Sequence, residues 1–171
     1  MRAAAHDVLL IINRGFYDED PETVKRKDFG TMKKVAVVYW SGTGNTQAMA
    51  EAVAEGAKKA GADVTLMTSA DFGPANVGGF DAFAFGCPAM GAEVLEETEF
   101  QPMWDEVKSA IGMKPVVLFG SYGWGDGEWM RSWAADAESS GISLAADFVI
   151  CNDAPDDDAK AKCEALGAAI A

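Results

Sequence analysis

The most constraining feature of the sequence is a strand-like run, a short polar loop and a helical stretch that follow one another directly. Residues 35–40 (VAVVYW) are continuously apolar, as expected for a strand that is buried on both faces. Residues 41–46 (SGTGNT) place two glycines among hydroxyl and amide side chains, and a helix is predicted from about residue 45 to residue 60. The glycines permit a tight turn, and the helix start adds unpaired N–H groups and the positive end of its dipole. This pattern predicts a loop that binds a terminal phosphate group.

An ordinary helix-capping turn is the alternative for residues 41–46, since Asn and Thr are common capping residues. Two better-known phosphate-binding motifs do not fit. A P-loop requires a Lys after its last Gly, and Asn45 follows Gly44. The dinucleotide-binding motif requires a third Gly, where Gln47 stands. Because the loop has no Lys or Arg, a bound phosphate would be held by dipoles and hydrogen bonds.

From Met32 onward, predicted strands and helices alternate along the chain. Strands are predicted at residues 35–39, 63–67, 80–86, 115–119 and 142–150, and helices at residues 45–60, 99–111, 128–140 and 156–169, with at most a short helix within 71–79. This alternation favours an α/β fold with a parallel sheet and right-handed crossovers. Because ligands of such sheets bind at the carboxyl ends of the strands, the loops of residues 41–46, 88–93 and 120–127 should meet around one ligand.

Glycines flank an aromatic and a thioether side chain in the second and third of these loops. Trp124 lies between Gly123 and Gly125, and Met90 is followed by Gly91. A planar ring can lie between the indole and the thioether, because both pack well against π-systems. A loop aromatic folded onto the edge of the domain is the alternative for Trp124. The other tryptophans of the domain are expected to serve packing: Trp40, Trp104, Trp129 and Trp133. Together with a monophosphate loop, the ring site indicates flavin mononucleotide (FMN).

Residues 39–46, 88–91 and 120–127 resemble the short-chain flavodoxins of anaerobic bacteria, and the resemblance extends over residues 32–171. It implies a flavodoxin-like three-layer α/β sandwich with a five-stranded parallel sheet in the order 2-1-3-4-5. It also implies one non-covalently bound FMN. The implied function is that of a low-potential one-electron carrier between redox enzymes, which uses the semiquinone/hydroquinone couple of FMN and is not itself an enzyme.

The resemblance also implies which residues contact the cofactor. The phosphate would be held by Ser41, Gly42, Thr43, Gly44, Asn45 and Thr46, with Ser121 nearby. The ring would be surrounded by Pro88, Ala89, Met90, Gly91, Ala92, Glu93, Tyr122, Gly123, Trp124, Gly125 and Asp126, with Asn152 at the rim. The redox centre would be FMN itself, so the resemblance implies neither a catalytic side chain nor a metal ligand.

Within this set, the resemblance implies individual roles. Met90 and Trp124 would cover the two faces of the ring, and Glu93 would accept a hydrogen bond from the ring N3–H. The backbone N–H groups of Gly123 and Gly125 would lie near the pyrimidine oxygens. The peptide between Gly91 and Ala92 would flip on formation of the semiquinone, so that its carbonyl accepts from the newly protonated N5. Ala92 should modestly disfavour any form of this turn that requires a positive φ at its position.

The formal net charge is −13, from 14 basic and 27 acidic residues. This charge disfavours nucleic acid and anionic membranes as partners, and it favours redox proteins with basic docking surfaces. Five acidic residues are expected to lie near the ring without a nearby cation: Glu93, Glu96, Glu97, Asp126 and Glu128. Their negative charge should destabilise the anionic, fully reduced FMN and so lower the second reduction potential. Solvated surface charge is the alternative for each of these side chains.

The three cysteines are read as reduced thiols, because they form no C-x-x-C pair and are odd in number. With no membrane-length apolar stretch and no signal-peptide pattern, the protein is expected to be a cytoplasmic monomer. Residues 1–31 are predicted to be a disordered or loosely docked extension (a tail, a regulatory segment or an upstream translation artefact) and residues 32–171 the FMN-binding domain.

The alternative function is an FMN-dependent NAD(P)H reductase of quinones or nitro compounds, although no segment remains for a nicotinamide domain.

Overall fold

The computed structural model describes residues 30–171, so nearly all of the predicted extension of residues 1–31 lies outside the described residues. Five strands and five α-helices alternate along the described chain. They are β1 (Lys34–Tyr39), α1 (Asn45–Lys59), β2 (Asp63–Thr68), α2 (Pro74–Val77), β3 (Ala82–Gly86), α3 (Phe100–Val107), β4 (Val116–Tyr122), α4 (Glu128–Ser139), β5 (Val149–Asn152) and α5 (Asp157–Ile170), with a short 3-10 helix at Ser69–Asp71. Within residues 30–171, no helix is long and apolar enough to cross a lipid bilayer.

The five strands form one parallel sheet in the order β2-β1-β3-β4-β5, as predicted. The strand order reverses at β1, since β2 lies on one side of it and β3 on the other. The carboxyl ends of β1, β3 and β4 therefore lie side by side at the switch point, where open α/β sheets bind their ligands.

Alternate strand residues point to opposite faces of the sheet, which explains why the apolar runs are continuous rather than alternating. On β1, Val35 and Val37 pack with α1 and α5, whereas Ala36 and Val38 pack with α3 and α4. The first of these layers is built mostly from aliphatic side chains. The second is rich in aromatic rings, among them Phe83, Phe85, Trp104, Trp129 and Trp133.

Helices α1 and α5 approach each other more closely than side chains would allow. A Cβ atom added at Gly167 would lie 2.0 Å from the carbonyl oxygen of Val53, and one added at Gly56 would lie 1.9 Å from that of Glu164. Both glycines are therefore required by backbone contact rather than by an unusual φ.

Several element boundaries differ from the sequence-based expectations. Strand β4 continues through Gly120 and Ser121 to Tyr122, because these residues pair with β5, so the third loop is shorter than predicted. Strand β5 begins at Val149, and Leu144 forms only an isolated bridge to Val116. Helix α3 ends at Val107, four residues before the predicted end, and the chain leaves the helix through turns.

Candidate functional site

The three predicted loops meet at the carboxyl edge of the sheet around a cleft of about 300 Å³. Ten of the residues predicted from the sequence line it: Gly42, Thr43, Asn45, Pro88, Ala89, Met90, Ser121, Tyr122, Gly123 and Trp124. The other predicted residues are not part of this lining: Ser41, Gly44, Thr46, Gly91, Ala92, Glu93, Gly125, Asp126 and Asn152. Two further residues, Trp40 and Asp153, line the cleft but were not predicted as site residues.

The first loop leaves the start of helix α1 without a side-chain cap. Gly44 is the N-cap residue with φ +92°, and its N–H donates to Oγ of Ser41 at 3.0 Å. The first helical N–H with an acceptor among the described residues is that of Ala48, which donates to the Gly44 carbonyl at 3.0 Å. Among the described residues, the N–H groups of Asn45, Thr46 and Gln47 have no acceptor, and the first turn carries no acidic residue. This geometry suits an anion.

Ser121 and Thr46 are buried and bind other protein groups. The backbone N–H of Ser121 donates to Oγ1 of Thr46 at 3.4 Å, and the Ser121 hydroxyl donates to the carbonyl of Asp153 at 2.7 Å. The side chain of Asn152 donates to the carbonyl of Tyr122 at 3.2 Å. These bonds fix the turn after β5 against β4. Asp153 lies in that turn with φ +55°, next to the cleft.

The second loop is a tight hairpin between Met90 and Val94. The N–H of each residue donates to the carbonyl of the other, at 2.8 and 2.9 Å. Gly91 has φ +50° and Glu93 has φ +54°, whereas Ala92 lies outside the left-handed region. Ala92 therefore does not have the positive φ that was expected to strain an alanine at this position.

Two contacts join the second loop to the third. The indole N–H of Trp124 donates to the carbonyl of Gly91 at 3.1 Å, although the Trp124 residue is 52% exposed. Oε1 of Glu93 accepts from the backbone N–H groups of Asp126, Gly127 and Glu128 at 3.1–3.2 Å. The Glu93 carboxylate thus lies at the positive end of the α4 dipole, a favourable position for an anion.

Gly125 makes room for this carboxylate. Its φ is +78°, and a Cβ added there would lie 2.2 Å from Cδ of Glu93. The glycine is needed both for its backbone conformation and for the close approach of Glu93.

Two features of the expected acidic rim are corrected by the structure. Glu96 is 5% exposed, and its carboxylate accepts from the backbone N–H groups of Glu99 and Phe100 at the start of α3, so it does not belong to a solvent-facing rim. A cation does lie next to the third loop, because Arg131 of α4 pairs with Asp126 at 2.7 Å and with Glu128 at 2.8 Å. The expectation of acidic groups without a nearby cation was therefore wrong for this pair.

The residues at the cleft fit FMN. The uncapped N–H groups of α1 match a terminal phosphate, and Met90 and Trp124, which both line the cleft, match a planar ring. Trp40 was expected to pack, and it does lie against Gly42, where a Cβ would approach its ring to 3.0 Å, but it also lines the cleft. Its place directly before the first loop was the signal that it reaches the site. For Asp153, the corresponding signal was its position after the last strand.

Comparison with known proteins identifies the family. The flavodoxin family model matches residues 37–166. The chain is 43% identical over 135 residues to a flavodoxin of Clostridium beijerinckii, with 79% of this chain and 97% of that protein covered. It is 42% identical over 137 residues to a flavodoxin of Megasphaera elsdenii, with 80% and 98% covered. The solution structure of two-electron reduced Megasphaera elsdenii flavodoxin superimposes with a TM-score of 0.74 at 42% identity, covering 80% of this chain and 97% of that one. The chain therefore belongs to the flavodoxin family, the FMN-binding electron carriers that work with redox partner proteins.

Proposed function

We propose that this flavodoxin carries single electrons at low potential, with FMN bound in the cleft between the three loops. The observation that carries the proposal is the combination of an uncapped helix start with Met90 and Trp124 around one cleft. Bound FMN supplies a ring that accepts and releases electrons one at a time. The protein supplies binding, orientation and the electrostatic environment of that ring.

The phosphate end of the site would depend on backbone groups. We assign the phosphate to the N–H groups at the start of α1 and to the side chains of Thr43 and Asn45, which line the cleft. Ser41 would act indirectly, because its hydroxyl accepts from Gly44 and holds the loop in shape. Thr46 and Ser121 would likewise support the loop through their mutual hydrogen bond.

The ring end of the site would use the second and third loops. Met90 and Trp124 would pack against the ring, and the N–H groups of Gly123 and Gly125 would donate to its oxygens. Glu93 would have two functions, since Oε1 caps α4 while Oε2 accepts no hydrogen bond from the described residues. That second oxygen suits the ring N3–H.

Charge supports the low potential and the choice of partner. The chain carries a net charge of −13, and the acidic side chain of Asp153 lines the cleft. Added electrons are disfavoured beside negative charge, which lowers the potential. The same charge would steer a partner with a basic docking surface toward the protein. We further propose that the carrier acts as a monomer in the cytoplasm.

The experiment is an anaerobic, stepwise reductive titration of the purified, FMN-loaded protein, followed by its visible spectrum. A one-electron-reduced form that accumulates midway, together with slow oxidation of NAD(P)H, supports the carrier. Direct passage to the fully reduced form with rapid NAD(P)H turnover would instead favour a reductase. A protein that cannot be loaded with FMN would refute both functions.

A pair of charge-adding variants tests the phosphate assignment. Thr43→Glu places a carboxylate in the cleft, so FMN affinity should fall by roughly tenfold or more through repulsion of the phosphate. Thr65→Glu is the control, since Thr65 is an exposed residue of β2 outside the cleft and adds the same charge. Equal losses in the two variants would contradict the assignment.

A further inference from the structure

A groove of about 260 Å³ lies between helices α3 and α4 and is separate from the FMN cleft. The groove and the cleft have no lining residue in common. The second loop closes one end of the groove with Glu93, and the same loop supplies Met90 to the FMN cleft. The α3–α4 groove is therefore a second recess directly beside the cofactor site.

The floor of the α3–α4 groove is apolar but contains one unpaired donor. Leu95, Trp129 and Trp133 line the groove and are buried. The indole N–H of Trp129 donates to the carbonyl of Cys87 at 3.1 Å. The indole N–H of Trp133 is the one buried side-chain nitrogen or oxygen without a hydrogen-bond partner within residues 30–171. A buried donor without an acceptor is costly, so a ligand that brings a carbonyl oxygen into the groove can relieve this cost.

The polar side chains of the α3–α4 groove carry an excess of negative charge. Lys108, which follows α3, lies 2.9 Å from a carboxylate oxygen of Asp105 and 3.0 Å from one of Asp136 on α4. Glu93 adds a third carboxylate to the lining, so three carboxylates against one ammonium leave two negative charges. The second carboxylate oxygen of Asp105 accepts no hydrogen bond from the described residues, and this side chain is 51% exposed. The groove can therefore accept one more cation.

We propose that the α3–α4 groove binds an arginine residue of a partner protein. Its guanidinium would lie beside Lys108 and donate to Asp105 and Asp136, and its main-chain carbonyl would accept from the indole N–H of Trp133. Arginine suits the groove because its planar guanidinium donates to two carboxylates and packs well against aromatic rings. The inference rests on the proposed function, since it specifies where the partner of an electron carrier docks. A partner held in this groove lies next to the FMN cleft.

The test titrates the FMN-loaded protein with a terminally blocked Gly-Arg-Gly peptide and follows the indole N–H signal of Trp133 by heteronuclear NMR. A second peptide has citrulline in place of arginine, which retains the length and the carbonyl groups but has no charge. We expect the Trp133 signal to shift with the arginine peptide and much less with the citrulline peptide. Binding of the arginine peptide should weaken as salt is added, since salt screens the attraction between opposite charges.

Three variants locate the binding site. Asp105→Asn should weaken binding of the arginine peptide by roughly twofold to fivefold, the range expected for a partly exposed ion pair. Lys108→Gln should strengthen binding by a similar factor, because it removes the ammonium that competes for the same carboxylates. Glu106→Gln is the matched control, since Glu106 is the exposed neighbour of Asp105 on α3 and lies outside the groove.

Equal losses of affinity in Asp105→Asn and Glu106→Gln would overturn the inference, because general surface charge would then account for the binding. A stationary Trp133 signal, equal binding of the citrulline peptide, or weaker binding to Lys108→Gln would overturn it as well. FMN-loaded protein that is reduced in two one-electron steps but does not bind the arginine peptide refutes only this inference. Protein that cannot be loaded with FMN refutes the proposed function itself.

Discussion

Replacement of Glu96 by Gln should destabilise the fold, because the Glu96 carboxylate organises the start of helix α3. One oxygen accepts from the backbone N–H groups of Glu99 and Phe100 at 2.8 and 2.9 Å. The other accepts from the backbone N–H of Thr98 at 2.9 Å and from the Thr98 hydroxyl. The residue is 5% exposed, so water cannot readily replace these partners.

The magnitude follows from the number of donors. Gln has one acceptor oxygen instead of two, so a pair of these donors loses its acceptor and meets an amide N–H₂ group. Loss of a helix-capping acceptor costs about 1 kcal/mol, and bonds to a charged group are stronger than neutral ones. We expect a loss of about 2 kcal/mol in the free energy of unfolding, or roughly 4–8 °C in Tm for a chain of this size.

The dependence on pH has a definite sign. Burial alone raises the pKa of Glu96, but the hydrogen bonds from the Thr98 side chain and from the backbone N–H groups of Phe100, Thr98 and Glu99 outweigh it, so the pKa lies below its ordinary value. The stabilisation is therefore present above the pKa of the unfolded chain and is lost as the pH falls through the folded pKa. The difference between wild type and Glu96→Gln should narrow under acidic conditions.

The assay is urea unfolding followed by circular dichroism, at neutral and at acidic pH. Glu97→Gln is the control, because Glu97 is the exposed neighbour and its replacement should stay within about 0.5 kcal/mol of wild type. The reasoning would be refuted if Glu96→Gln and Glu97→Gln had the same free energy of unfolding at neutral pH. It would also be refuted if the difference in stability between wild type and Glu96→Gln became larger toward low pH.

Three further predictions concern close approaches and thiols. Gly167→Ala should lower the free energy of unfolding by about 3 kcal/mol, near the largest loss expected from an overpacked core, because the new Cβ would lie 2.0 Å from a backbone carbonyl oxygen of α1. Urea unfolding measures this loss. Gly125→Ala should displace the Glu93 carboxylate and uncap α4, and a crystal structure showing Glu93 in place would contradict this. In the native protein at pH 8, a thiol reagent should label half-buried Cys151 but not buried Cys163. Burial and the neighbouring Cys151 raise the pKa of Cys163 to about 12, so little of its reactive thiolate is present. Mass spectrometry before and after unfolding tests this prediction.

The features that the sequence predicts well are those that follow from periodicity and chain order. Continuous apolar runs separated by helical segments leave few arrangements other than a parallel sheet, and that sheet places the loops after β1, β3 and β4 at one edge. The convergence of residues 42, 90 and 124 on one cleft is a direct consequence.

The features that the sequence analysis missed depend on where individual side chains point and on which strands pair in the sheet. Glu96 and Glu97 are adjacent residues of the same type, yet only Glu96 points inward and caps α3. The tertiary fold, not the local sequence, determines which of the two is buried. The pairing of Arg131 with Asp126 crosses the start of α4, which charge patterning along the chain did not reveal. Strand β4 reaches Tyr122 because β5 lies beside it, although its last residues read as a glycine-rich loop.

The hydrogen bonds of Glu93 have a consequence for how the site opens. The side chain belongs to the second loop, yet it supplies the cap of the helix that follows the third loop. Neither loop can leave its place without releasing the other, so the two form one cooperative unit of local unfolding. The backbone amides of Val94 and Gly127, far apart in sequence, should therefore share one opening free energy in native-state hydrogen exchange, and the site should be lost or kept as a whole.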